Sequence, residues 1–139
     1  MASGKQRIHF RNPAGQLLEQ PVGEYIIIRY SPSPRQLADL QTLLGYAKQV
    51  LALRRWHKVI ADHSRMVPFT PEESAWVTDY WLSMPSTRMP DFYGAILLPA
   101  DVLAGLPIDQ ATGEATARAM TYRLFGEEAE AATWLAQLT

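Results

Sequence analysis

The stretch Ala61-Asp62-His63-Ser64-Arg65-Met66 sets a carboxylate, an imidazole and a hydroxyl on consecutive residues. These are the groups of a hydrolytic triad, in which serine attacks, histidine moves the proton and aspartate orients the imidazole. That chemistry needs the three side chains in one hydrogen-bonded row. Consecutive residues leaving a strand point to alternate faces, so Asp62 and Ser64 share a side while His63 points away. Contiguity therefore argues against catalysis. Ser64 is followed by Arg65-Met66, where a nucleophile elbow requires glycine two residues on, and no G-x-S-x-G occurs elsewhere. A structural or binding role is expected for all three.

Other chemistries are weaker still. The histidines are His9, His57 and His63, without H-E-x-x-H or another close ligand spacing. His57 and His63 bracket one apolar run, which as a strand would hold them about 20 Å apart. The glycines are scattered and form no phosphate-binding loop, so neither a metal nor a nucleotide cofactor is expected. Arg54-Arg55-Trp56-His57-Lys58 is the one basic run with an embedded aromatic, a pattern that could track phosphates while Trp56 stacks on a base. A simpler role is to complement the dipole at a helix C-terminus while Trp56 covers the core edge. The formal net charge of -1 supplies no global attraction to nucleic acid or anionic membrane.

The elements that must position these residues follow from pattern and punctuation. Ile8 and Phe10 alternate with polar neighbours, Asn12-Pro13-Ala14-Gly15 supplies a turn, and Leu17-Leu18 resumes an extended run. Pro21-Val22-Gly23 breaks it before the β-branched strand Glu24–Tyr30, so the chain opens as an antiparallel meander. Ser33-Pro34-Arg35-Gln36 predicts a helix start capped by Ser33, with Leu37, Leu40, Leu44, Ala47 and Leu51 on its inner face and its end near Arg54–Trp56. Lys58–Asp62 reads as a buried strand. Thr70-Pro71-Glu72-Glu73 is a second capping box, opening a helix to about Leu82. Met84–Pro90 is a proline-bounded loop, Tyr93–Leu98 a buried strand, and Asp101 the cap of a short helix. A further weak helical stretch is expected around Pro107–Ala119. Met120–Phe125 is the last strand and Glu127–Leu138 the closing helix, with acids in its first turn.

Helices separate the later strands, which predicts parallel pairing there and antiparallel pairing confined to the meander. The expected class is α/β: a mixed sheet covered by about four helices. At 139 residues the chain is one domain long, able to bury roughly 70% of its unfolded surface. Residues 1–6 are polar and expected to fray. The chain has no cysteine, which removes disulfides and thiolate metal sites. It shows no apolar run of the length that spans a bilayer and no signal-peptide pattern at MASGKQRIHF, so a cytoplasmic location is expected.

Two segments bear on binding. Arg65–Phe69 (RMVPF) leaves the carboxyl end of a buried strand, where open α/β sheets gather their ligands. His63, Ser64, Arg65, Met66, Phe69 and Thr70 are the expected partner-binding residues, with Met66 and Phe69 docking and Arg65 or His63 at the rim. The occupant would be a protein partner or a second copy of the chain in a homodimer. Alternatively, Trp76 and Tyr80, four apart on one helix face, could line a pocket with Tyr93 for a small apolar ligand or lipid.

The strand and helix order resembles the STAS-like proteins, the anti-sigma-factor-antagonist-like domains of bacteria. The nearest branch is that usually termed SpoIIAA-like, loosely linked to the CRAL-TRIO lipid-binding group. "MTYRLFGEEAEAATWLAQL" carries most of the resemblance and "KVIADHSRM…FTPEE" supports it, over a span from about Leu17 to the end. It implies a non-enzymatic regulatory module. In partner-switching members a D-S-S-G-like segment at the second helix start carries a phosphorylated serine. Here that place reads Pro68-Phe69-Thr70-Pro71, where Thr70 is the only hydroxyl and no glycine follows. Phosphorylation switching of that kind is not expected.

Overall fold

The computed structural model describes residues 6–83, 92–117 and 120–138, with the side chains of 116 and 117 left aside. The tail before Gln6 and the expected loop at Met84–Pro90 lie outside the described residues.

Strands β1 (Arg7–Asn12), β2 (Gly15–Gln20) and β3 (Tyr25–Tyr30) form the antiparallel meander. Its first turn is held by Asn12, whose Oδ1 accepts from the Ala14 N–H at 2.9 Å. Gly15 is needed there because a Cβ would collide with the Arg29 carbonyl oxygen. Helix α1 (Leu37–Arg54) leads to β4 (Lys58–Asp62), and α2 (Pro71–Leu82) to β5 (Phe92–Leu97). After the short helices α3 (Ala100–Ala104) and α4 (Ile108–Thr112) come β6 (Glu114–Ala117), β7 (Met120–Phe125) and α5 (Glu128–Ala136). The seven strands lie in the order β1-β2-β3-β4-β5-β7-β6. Pairing is parallel from β3 through β4 and β5 to β7. The fold is α/β with a mixed sheet.

Strand alternation sends the two faces to two cores. Ile26, Ile28, Tyr30, Val59 and Ala61 join Leu40, Leu43, Leu44 and Ala47 of α1 and Val77 and Tyr80 of α2. Ile27, Ile60, Ala95, Leu97 and Phe125 join Ala131, Trp134 and Leu135 of α5. Each fully buried Ile or Leu contributes about 1.5–3 kcal/mol of transfer free energy, which explains why Ile26-Ile27-Ile28 is apolar without a break. At the start of β4, Lys58 Nζ donates to the carbonyls of Leu135 and Leu138, both at 2.8 Å, and closes the C-terminal end of α5.

Four expectations are corrected. Helix α1 starts at Leu37 with Gln36 as its cap, not at Ser33; the Asp39 carboxylate accepts from the Gln36 N–H at 3.4 Å. The stretch around Pro107–Ala119 is helical only in α4, and Glu114–Ala117 instead forms β6, antiparallel to β7. Helix propensity in EATA yields to the hydrogen bonds of a free sheet edge. Antiparallel pairing therefore occurs at both ends of the sheet and not in the meander alone. The short helix α3 has Pro99 at its cap position, with Asp101 in the first turn.

Candidate functional site

The carboxyl ends of β3 and β4 place Arg29, Tyr30, Asp62 and His63 side by side, since Arg29 pairs in register with Asp62. Odd and even positions then diverge to opposite faces. On the α5 face, the buried Asp62 accepts from Arg29 Nη1 at 2.7 Å through Oδ2. Its Oδ1 accepts from the Ser64 N–H at 2.9 Å and from Ser64 Oγ at 2.5 Å. The same Arg29 nitrogen lies 3.0 Å from Glu128 Oε1, and Gln6 Nε2 donates to Glu128 Oε2 at 2.9 Å. Asp62 thus turns the chain out of β4 and binds β3 through Arg29, which in turn ties β3 to the start of α5. Its acceptor capacity is occupied by structural partners.

His63 lies on the other side. Its imidazole meets the ring of Tyr30 edge-on at 5.0 Å and that of Phe69 at 5.6 Å, and Tyr30 and Phe69 meet at 5.4 Å. Burial pushes the His63 pKa down to about 4; the Asp62 carboxylate pulls it up and the Arg35 guanidinium pushes it down. Among the described residues no hydrogen bond joins His63 to Ser64 or Asp62. The sheet separates the imidazole from the hydroxyl, as strand alternation requires.

Arg35, in the extended segment before α1, completes this side. Its side chain is 2% exposed and donates to Glu73 Oε1 at 2.8 Å, to the Val67 carbonyl at 2.8 Å and to the Pro68 carbonyl at 3.3 Å. Its guanidinium carbon sits 5.0 Å from the centre of the Phe69 ring. Glu73 closes the capping box of α2: its carboxylate accepts from the Thr70 N–H at 2.9 Å, and Thr70 Oγ1 accepts from the Glu73 N–H at 3.1 Å. Burial raises the Glu73 pKa, but the Thr70 and Arg35 bonds outweigh it and hold the carboxyl below its ordinary value. Capping box, buried arginine and aromatic stack together fix the loop from Ser64 to Thr70.

Arg65, Pro68 and Thr70 are exposed on this loop, and Val67 is 40% exposed. Met66 and Phe69 are half-buried and pack against the first core. The two residues expected to dock a partner thus serve partly to seat the loop, and the outward apolar residue is Val67. Trp76 and Tyr80 stack at 5.5 Å, and the Tyr80 hydroxyl donates to the Leu44 carbonyl at 2.5 Å. Tyr93 packs on the opposite face, edge-on to Trp134 at 6.3 Å. The sheet therefore keeps Tyr93 out of any pocket shared with Trp76 and Tyr80.

Sequence patterning did not identify Arg35 or Tyr30 as parts of this site. Arg35 carries no local signal, because its partners are more than 30 residues away. Tyr30 ends the largely apolar strand β3 and marks itself only by that position. Trp56 is 7% exposed within the first core with Arg54 over its ring at 5.7 Å, so its face is not free to stack on a base. Among the described residues no group of three or more His, Asp or Glu side chains could hold a metal ion. No described helix is long and apolar enough to cross a membrane.

Comparisons with models of known protein families, with curated proteins and with solved structures return no match to this chain.

Proposed function

We propose that this chain is a non-enzymatic binding module whose recognition element is the loop Ser64–Thr70, and that its occupant is a protein partner in a regulatory interaction. The observation that carries this is the burial of Arg35 beneath the loop, where it bonds two loop carbonyls and the capping glutamate of α2. A loop held in one shape from below loses little conformational freedom when a partner covers it from above. Its outward residues are Arg65, Val67, Pro68 and Thr70. They present one cation beside an apolar step, which suits a partner with a shallow apolar recess and a carboxylate at its edge. The strands β3, β4, β5 and β7 follow one another without reversal, so the strand order puts no topological switch point beside the loop among the described residues. An exposed loop of this kind fits a protein better than a small substrate. The resemblance to STAS-like regulatory domains supports the same reading.

The test is capture of partners from host extract by immobilised protein. Val67→Asp with Arg65→Glu is expected to remove a specific partner that Leu53→Asp, on an exposed position of α1, retains. Equal capture by both variants would reject the surface. These positions replace Met66 and Phe69 as probes, because charges there would also disturb the core.

A further inference from the structure

On the face of the sheet opposite Phe69, a cleft of about 590 Å³ opens between β7, α4 and α5. That volume is in the range of small-molecule sites. Leu103, Phe125 and Trp134 give it apolar walls, and Arg123 from the middle of β7 brings a cation into it. The Arg123 guanidinium carbon lies 4.9 Å from the centre of the Phe125 ring, and its buried Nε has no hydrogen-bond partner among the described residues. Its cross-strand neighbour is Glu114, whose carboxylate accepts from Trp134 Nε1 at 3.0 Å and forms no ion pair with Arg123. The hydroxyls of Thr112 and Thr133 are spent on the carbonyls of Ile108 and Ala129 in their own helices. An apolar cleft whose cation forms no ion pair among the described residues calls for an anion with an apolar body.

We propose that this cleft binds a small monocarboxylate with an aliphatic or aromatic body, its carboxylate on Arg123 and its body against Phe125, Trp134 and Leu103. Inorganic phosphate has no apolar body to place against these walls, and Glu130 on the cleft wall opposes a dianion more strongly than a monoanion. The site is separate from the loop Ser64–Thr70 and does not depend on the function proposed for it.

Sodium octanoate and 1-octanol, matched in length, are the probes, followed by two-dimensional NMR of the intact protein at the Arg123 Nε–H and Trp134 indole resonances. Octanoate should move both resonances saturably, octanol should bind at least about tenfold more weakly, and inorganic phosphate should leave both in place. Arg123→Gln should weaken octanoate by about tenfold or more, and Arg123→Lys should retain most of it. Octanoate that moves neither resonance, that binds no better than octanol, or that binds Arg123→Gln unchanged would overturn the proposal. The comparison of octanoate with octanol on the unmodified chain keeps the test decisive should a variant fail to fold.

Discussion

Arg35 and Glu73 are 38 residues apart, and their side chains, 2% and 7% exposed, meet at 2.8 Å beneath the loop that joins β4 to α2. This contact links the entry to α1 with the capping box of α2. It also governs whether the loop has one shape. Removing one partner of a buried ion pair leaves the other uncompensated, so Arg35→Met should lower stability by about 3 kcal/mol in urea unfolding. Amide exchange at Val67 and Phe69 should accelerate beyond what that loss alone explains. Unchanged exchange there would mean that Arg35 does not hold the loop.

The His63 imidazole supplies a pH dependence of defined sign. Its pKa falls from 6.5 to about 4 on folding, chiefly by burial. The unfolded chain therefore binds more protons than the folded one between these values. The contribution is fully present above pH 6.5 and is lost as pH falls toward 4, amounting to at most about 3 kcal/mol. His63→Phe should preserve the ring contacts with Tyr30 and Phe69 and flatten the stability profile between pH 6.5 and 4. A profile as steep as that of the unmodified chain would assign the slope to other groups.

Asp62 and Ser64 act as a turn, and their substitution should register as stability. Ser64→Ala removes one hydroxyl bond and should cost about 1 kcal/mol. Asp62→Ala strips Arg29 and the Ser64 N–H of their acceptor and should cost about 3 kcal/mol. With generic ester substrates, Asp62→Asn, His63→Ala and Ser64→Ala should leave any background hydrolysis unchanged. Hydrolysis lost in all three would revive a catalytic role.

Two glycines separate steric need from simple tolerance. Gly15→Ala drives a methyl into the Arg29 carbonyl and should cost about 3 kcal/mol. Gly45 lies inside α1, where an added methyl would meet nothing within 4 Å, so Gly45→Ala should raise stability by about 0.5–1 kcal/mol. Thermal unfolding of both variants checks the pair.

Features written in local chemistry were legible in the sequence. The run Tyr25–Tyr30, the strand Lys58–Asp62 and the Thr70–Glu73 capping box each carry their signal within a few residues. The opposite orientation of His63 relative to Asp62 and Ser64 followed from strand alternation alone. Strand β6 was not legible, because EATA becomes a strand only by pairing with β7. Ser33 looked like the cap of α1, but an extended segment up to Gln36 is what lets Arg35 reach the loop carbonyls. Arg123 gives no local signal for a similar reason: its place in the cleft depends on α5 and α4 packing beside β7, contacts made between segments distant in sequence.

The loop Ser64–Thr70 as a recognition element is tested most directly by photocrosslinking in the native host, with a photoreactive residue placed at Val67 and, as a control, at Leu53. A single protein adduct formed from position 67 and absent from position 53 is the expected result. No adduct from position 67, or the same adducts from both positions, would contradict it.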